Sequence, residues 1–171
     1  IMKLFEHNAD APVLEKLTRS NEDGKRIYRT PSGEGYPSVT TVLSILGKED
    51  IAKWRKRVGE EEANRISTQA ARRGTAVHKL CEDYLDNDPD YSKKHMPANI
   101  QMFNTMKPIL DERINNIWYQ ECFLYSNELQ TAGQVDCIAE WDGELAVVDF
   151  KTSRKLKKEE WILNYFMQVS F

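Results

Sequence analysis

Cysteine is scarce in this chain: Cys81, Cys122 and Cys137 are the only three, and no two of them form a CxxC pair. An odd number without close spacing builds neither a disulfide framework nor a four-cysteine zinc site, so the thiols read as reduced and packed. Long apolar runs are missing too. No stretch approaches the roughly 18 consecutive apolar residues of a membrane span, and Ile1-Met2-Lys3-Leu4-Phe5-Glu6 lacks the apolar segment of a secretory leader. The expectation is an intracellular, cytoplasmic protein, neither secreted nor membrane-bound. Glycine and proline occur singly at turn-like places, with no low-complexity linker and no internal repeat. What is present, 171 residues of which 40% are apolar, suffices for one domain with a buried core.

Net charge is −3, from 24 Lys and Arg against 27 Asp and Glu, but it is spread unevenly. Between Lys53 and Lys79 eight basic residues stand against three acidic ones, a local +5 that leaves −8 for the rest. Lys151 to Lys158 adds five positive charges without an acid, while Glu82 to Asp90 carries five negative ones. Two basic surfaces on an acidic protein fit a phosphate-binding track. Solvated helix faces without a ligand explain the same pattern equally well.

Periodicity divides the chain. Ile27-Tyr28-Arg29-Thr30 turning through Pro31-Ser32-Gly33 reads as a hairpin over Arg26 to Tyr36. Ser38 then reads as the N-cap of a helix from Val39 to Leu46, with Gly47 as its stop. Helical patterning resumes over Ile51 to Ala71, over Arg72 to Leu85 with an apolar stripe of Val77, Leu80, Cys81, Tyr84 and Leu85, and over Pro97 to Ile114. The period then becomes alternating. Ile117, Tyr119, Glu121, Phe123 and Tyr125 share a strand face, Gln130 to Trp141 and Glu144 to Thr152 give two more strands, and Glu159 to Phe171 returns to helix with Trp161, Tyr165 and Gln168 on one side. Helices, three strands and a helix describe an α+β core with a mostly antiparallel sheet.

The most informative stretch runs from Gly133 to Lys151. Asp142-Gly143 between β-rich segments predicts a two-residue type I′ hairpin. Counting outward from that turn, Asp136 faces Asp149. Directly opposed like charges are destabilising unless something compensates, and a hard divalent cation would do so, since two carboxylates at such a separation can share Mg²⁺ or Mn²⁺. Lys151, two residues past Asp149, lies on the same face, where an ammonium suits an attacking water or a phosphoryl oxygen. The other reading is structural: an Asp149–Lys151 salt bridge with Asp136 as an acid near the turn.

Three more polar residues interrupt apolar patterns. Glu121 sits on an otherwise apolar strand face, as a rim-exposed or paired acid or as a functional one. His78 falls four residues after Gly74, which puts both on one helix face and lets a backbone or a phosphate approach at the glycine; a lone helical histidine is also commonly a packed or surface residue. Gln168 reads as a satisfied core amide or as a group that orients a ligand.

Gly74-Thr75-Ala76-Val77-His78, then Glu121, then Gly133-Gln134-Val135-Asp136, then Asp149-Phe150-Lys151, then Gln168 resemble in order the motifs of the PD-(D/E)xK nuclease superfamily, in its RecB-like branch. Tyr36-Pro37-Ser38-Val39-Thr40-Thr41-Val42-Leu43 and Arg73-Gly74-Thr75 look most like phage exonucleases and the mitochondrial genome maintenance exonuclease. The resemblance implies a restriction-endonuclease-like core, a mixed, mostly antiparallel central sheet flanked by helices, with a metal site whose ligands are His78, Asp136, Asp149 and the carbonyl of Phe150. It implies Lys151 as the catalytic lysine, with Glu121 and Gln168 as supporting groups. The implied activity is that of a Mg²⁺- or Mn²⁺-dependent deoxyribonuclease, an exonuclease that hydrolyses phosphodiester bonds of single-stranded DNA or DNA ends in degradation, replication or recombination. Arg72, Arg73, Lys53, Arg55 and Lys155 are the candidate phosphate contacts and Trp54 the candidate stacking residue, each of which also reads as solvated surface.

Two departures qualify the likeness. The tyrosine of the family's QxxxY motif would fall one residue beyond Phe171, so the chain is expected to be a nuclease core cut short. No cysteine precedes His78, which argues against the iron–sulfur cluster of some members. The expected division is an N-terminal extension over 1–48 and a nuclease core over 49–171. A phage-encoded version would work in host cytoplasm. The alternative is a catalytically inactive nucleic-acid-binding module of the same fold.

Overall fold

The computed structural model describes residues 2–154 and 162–170. Seven strands and four helices occur among them: β1 (Glu6–His7), β2 (Thr18–Glu22), β3 (Lys25–Arg29), β4 (Gly35–Pro37), α1 (Val39–Val58), α2 (Glu60–Leu85), α3 (Pro97–Arg113), β5 (Ile114–Ser126), β6 (Thr131–Trp141), β7 (Glu144–Val148) and α4 (Leu163–Ser170). A four-stranded sheet has the order β1-β5-β6-β7, and a three-stranded sheet the order β2-β3-β4. The fold is α+β and the larger sheet is mixed: β1 runs parallel to β5, and β6 and β7 are antiparallel. Among the described residues no helix is long and apolar enough to cross a membrane.

The chain forms two compact units, each assembled from three segments. The first comprises Ile1–Ala11, Arg65–Cys122 and Val135–Thr152. Its core is the stripe of α2 predicted from periodicity, Val77, Leu80, Cys81, Tyr84 and Leu85, together with Phe103, Ile114, Ile117, Cys137, Ala139 and Phe150. Burying each large apolar side chain contributes roughly 1.5–3 kcal/mol. Tyr84 lies edge-on to Phe5, Tyr91 and Phe103, with ring centroids 5.0–5.4 Å apart. Asn87, in the left-handed region at φ 63°, exchanges two hydrogen bonds with the Phe5 backbone, and the His7 ring meets the Leu85 carbonyl at the end of α2. These contacts tie the N-terminal residues to the core; the expected boundary at residue 48 falls inside α1.

The second unit comprises Pro12–Asn64, Phe123–Gln134 and Ser153–Phe171. Leu17, Tyr28, Tyr36 and Ala132 form its core, flanked by Phe123 and Tyr125. The expected hairpin is there, with Tyr28 opposite Tyr36, but β2 adds an unforeseen third strand through a turn at Asp23-Gly24. Ser38 caps α1 as expected, its hydroxyl accepting from the Thr41 N–H at 3.1 Å.

Several predicted boundaries need correction. Gly47 does not stop the first helix: α1 continues to Val58 and ends at Gly59, whose φ is 89°. One interior glycine costs only about 1 kcal/mol relative to alanine, too little to break a helix that continues on both sides. Consequently Ile51 to Ala71 is divided at Gly59, and Glu60 to Leu85 is one helix. The last strand leaves the ladder after Val148 rather than reaching Thr152. The C-terminal helix is described from Leu163, and the part expected over residues 159–161, including Trp161, lies outside the described residues.

Candidate metal centre

The site grows out of the β6–β7 hairpin in the first unit. Asp142 and Gly143 have φ of 52° and 86°, the left-handed pair a type I′ turn needs, and Asn/Asp-Gly is the dipeptide that adopts it most readily. Trp141 pairs with Glu144, Ala139 with Ala146 and Cys137 with Val148. That is the predicted register. Cys137 and Ala139 are fully buried in the core, so the opposite face, with Ile138, Val147 and Asp136, is the more open one; Val147 is 40% exposed.

Two residues past the last ladder pair, the backbone of Phe150 turns back onto Asp136. Its N–H donates to Asp136 Oδ2 at 2.7 Å, while His78 Nδ1 lies 3.3 Å from Asp136 Oδ1. Both carboxylate oxygens are thus engaged, and Asp136 is 9% exposed. The Asp136 carboxylate holds the His78 imidazole above its ordinary pKa, with the Phe150 backbone adding to the effect. His78 itself is placed by α2, where neighbouring Val77 and Cys81 face the core.

Glu121 completes a cluster: one ligand atom from each of His78, Glu121 and Asp136 lies within 4.8 Å of the others. Its backbone is unusual, with φ of 48° inside β5. A left-handed residue interrupts the pleat, so strict alternation through Glu121 fails there, with Ile117 in the first core and Phe123 beside the second. No sequence signal marks this conformation, since glutamate is not among the residues enriched at positive φ.

Asp149 stands beside this cluster with its Oδ2 2.6 Å from Lys151 Nζ. Burial raises the Asp149 pKa most, Lys151 opposes that, and the nearby Asp136 charge reinforces it. Two carboxylates close enough to repel, a third beside an imidazole and an ammonium at the edge form a donor set rich in hard oxygen with one nitrogen. Such a set fits a divalent cation.

Of the other predicted residues, Arg72 is exposed and Arg73 half-buried on α2. A Cβ at Gly74 would meet Thr152 Oγ1 at 3.8 Å, ordinary contact, so packing does not require glycine there. In the second unit Lys53 is exposed and Trp54 half-buried on α1, and Gln168 is half-buried on α4. Arg55 is engaged within its own unit by Glu60 and by Asn64. Lys155 lies outside the described residues.

The chain is similar to an exonuclease. Mitochondrial genome maintenance exonuclease 1 of Xenopus tropicalis is 30% identical over 130 residues, and those of Mus musculus and Homo sapiens are 26% and 27% identical over 129 and 132 residues. Each match takes in 71% of this chain and 37–38% of the relative, so the chain spans less than two fifths of the relatives' length. No family model matches the sequence.

Proposed function

We propose that this chain carries the core of a metal-dependent DNA exonuclease of the PD-(D/E)xK superfamily, RecB-like branch, acting on single strands or ends. The observation that carries the reading is the convergence of His78 from α2, Glu121 from β5 and Asp136 from the β6–β7 hairpin beside an Asp149–Lys151 pair. The similarity to genome maintenance exonucleases supports the exonuclease part of it independently. His78, Asp136, Asp149 and the Phe150 carbonyl would hold Mg²⁺ or Mn²⁺, with Glu121 as a further oxygen donor. Held there, such a cation would offset charge on phosphoryl oxygens and would make water acidic enough to attack near neutral pH.

The chain's own groups supply positioning. The Phe150 N–H and the His78 ring fix the orientation of Asp136 in advance. Asp149 holds the Lys151 ammonium, whose three N–H donors serve a phosphoryl oxygen or the attacking water. Arg72 and Arg73, on the same helix as His78, contact the strand's phosphates.

The test is digestion of end-labelled DNA with Mg²⁺, with Mn²⁺ and with EDTA. Wild-type protein shortens the DNA from its ends only with metal, and Lys151→Ala and Asp149→Ala each lose about 10²–10³-fold in rate. Metal-independent digestion, or full activity in both variants, sinks the mechanism. Salt-sensitive binding without cleavage would instead identify an inactive binding module.

A further inference from the structure

The second unit contains a cleft of about 570 Å³ at the β2–β3 hairpin that has no part in the metal centre. Arg19, Asn21 and Arg26 reach it from the hairpin, and Thr40, Thr41 and Ser44 from α1. None of its nine lining residues is acidic. The register explains why the two arginines converge: Asn21 pairs with Arg26 and Arg19 with Tyr28, so Arg19, Asn21 and Arg26 share one face of the hairpin. Arg29 is three residues from Arg26 and points to the other face, where Glu22 neutralises it at 2.8 Å.

Arg19 is held rather than neutralised. Its Nη1 donates to the Gln134 amide oxygen at 2.8 Å, and its guanidinium lies 5.8 Å from the Phe123 ring centroid. Both contacts orient the group and leave its charge uncompensated. The end of α1 adds little, because the Ser38 hydroxyl already occupies the Thr41 N–H. Two guanidinium groups above a wall of hydroxyls and an amide, with no carboxylate, match one chemical group well. A phosphodiester offers charge for the arginines and acceptor oxygens for the hydroxyls.

We propose that this cleft is a phosphate anchor for a nucleic-acid strand, gripping the backbone without reading sequence. The proposal rests on the nuclease reading for its ligand class and deepens it by naming a grip that belongs to the second unit alone. Each arginine contacting a single strand contributes about 0.7 to the slope of log affinity against log salt.

The experiment is fluorescence anisotropy of a 5′-labelled single-stranded oligonucleotide in EDTA, titrated with salt, on the full chain. Arg26→Ala is expected to weaken binding about tenfold and lower the slope by about 0.7, and the Arg19→Ala/Arg26→Ala double variant to lower it by about 1.4. Arg26→Lys restores most of the slope, and Arg29→Ala changes neither quantity. Unchanged affinity and slope in the double variant, with its circular dichroism intact, overturns the anchor. So does protection of the cleft by inorganic phosphate with oligonucleotide affinity unaffected. Metal-dependent digestion in the wild type and its loss in Lys151→Ala score the nuclease reading separately. An anchor without cleavage, or cleavage without an anchor, is therefore distinguishable.

Discussion

Cys81 and Cys137 stand within a few residues of His78 and Asp136, yet they belong to the core and not to the site. Both are fully buried, and burial pushes both thiols up, that of Cys137 to about 12; half-buried Cys122 is raised for the same reason. Reactivity belongs to the thiolate. Iodoacetamide at neutral pH should therefore leave Cys81 and Cys137 unmodified in native protein and label all three after denaturation, as intact-mass spectrometry would read. Rapid native labelling of Cys81 would contradict the packing around Tyr84. Single residues of the centre were legible to unequal degrees. Asp136 follows from a turn and a period of two, which also put Asp149 and Lys151 nearby although both lie past the end of β7 at Val148. Glu121 was visible only as an acid on an apolar face, because the left-handed backbone that carries it arises from tertiary contacts rather than local preference.

Among the elements, the glycine inside α1 and the one just past its end have opposite roles. Gly47 is interior, and a Cβ there would meet nothing nearer than Ile51 Cδ1 at 4.0 Å. Gly59 sits past the helix end at φ 89°, a conformation that side chains rarely adopt. Gly47→Ala should raise stability by about 0.5–1 kcal/mol, while Gly59→Ala should lower it by about 1 kcal/mol or more. Urea titrations of the two variants check the signs, and like signs would refute the helix boundaries. The same comparison explains the misplaced stop: a glycine's meaning depends on φ, which sequence does not display. β2 carries no local signal for a related reason. Thr18-Arg19-Ser20-Asn21-Glu22 has no apolar alternation, and its place in the sheet rests on backbone pairing with β3.

For the molecule as a whole, buried polar anchors set a pH limit. The Tyr84 hydroxyl donates to Asp111 at 2.5 Å, and Lys107 pairs with the same carboxylate at 2.7 Å. Burial and then the Asp111 contact raise the Tyr84 pKa, with Lys107 opposing. A raised folded-state value means that the contribution is complete below the unfolded phenol value of about 10 and is lost as pH climbs past it. Thermal melts from roughly pH 7 to 11 should fall at the alkaline end, less steeply in Tyr84→Phe, which starts from a lower melting temperature. Equal slopes would mean that Tyr84 ionises as freely folded as unfolded. The α+β class, the main helices and the hairpin register were legible because each repeats a local pattern. The short β1 and the assembly of each unit from three separate segments were not, since they depend on contacts between residues far apart in sequence. The hairpin carries one more consequence, a rule of parity. A residue added at the Asp142-Gly143 tip can be absorbed by a longer loop, leaving the pairing of both arms intact. A residue added within either arm flips everything beyond it to the other face and carries Asp149 or Asp136 away from its partner. Descendants of this gene can therefore vary the tip in length but must conserve the count along each arm.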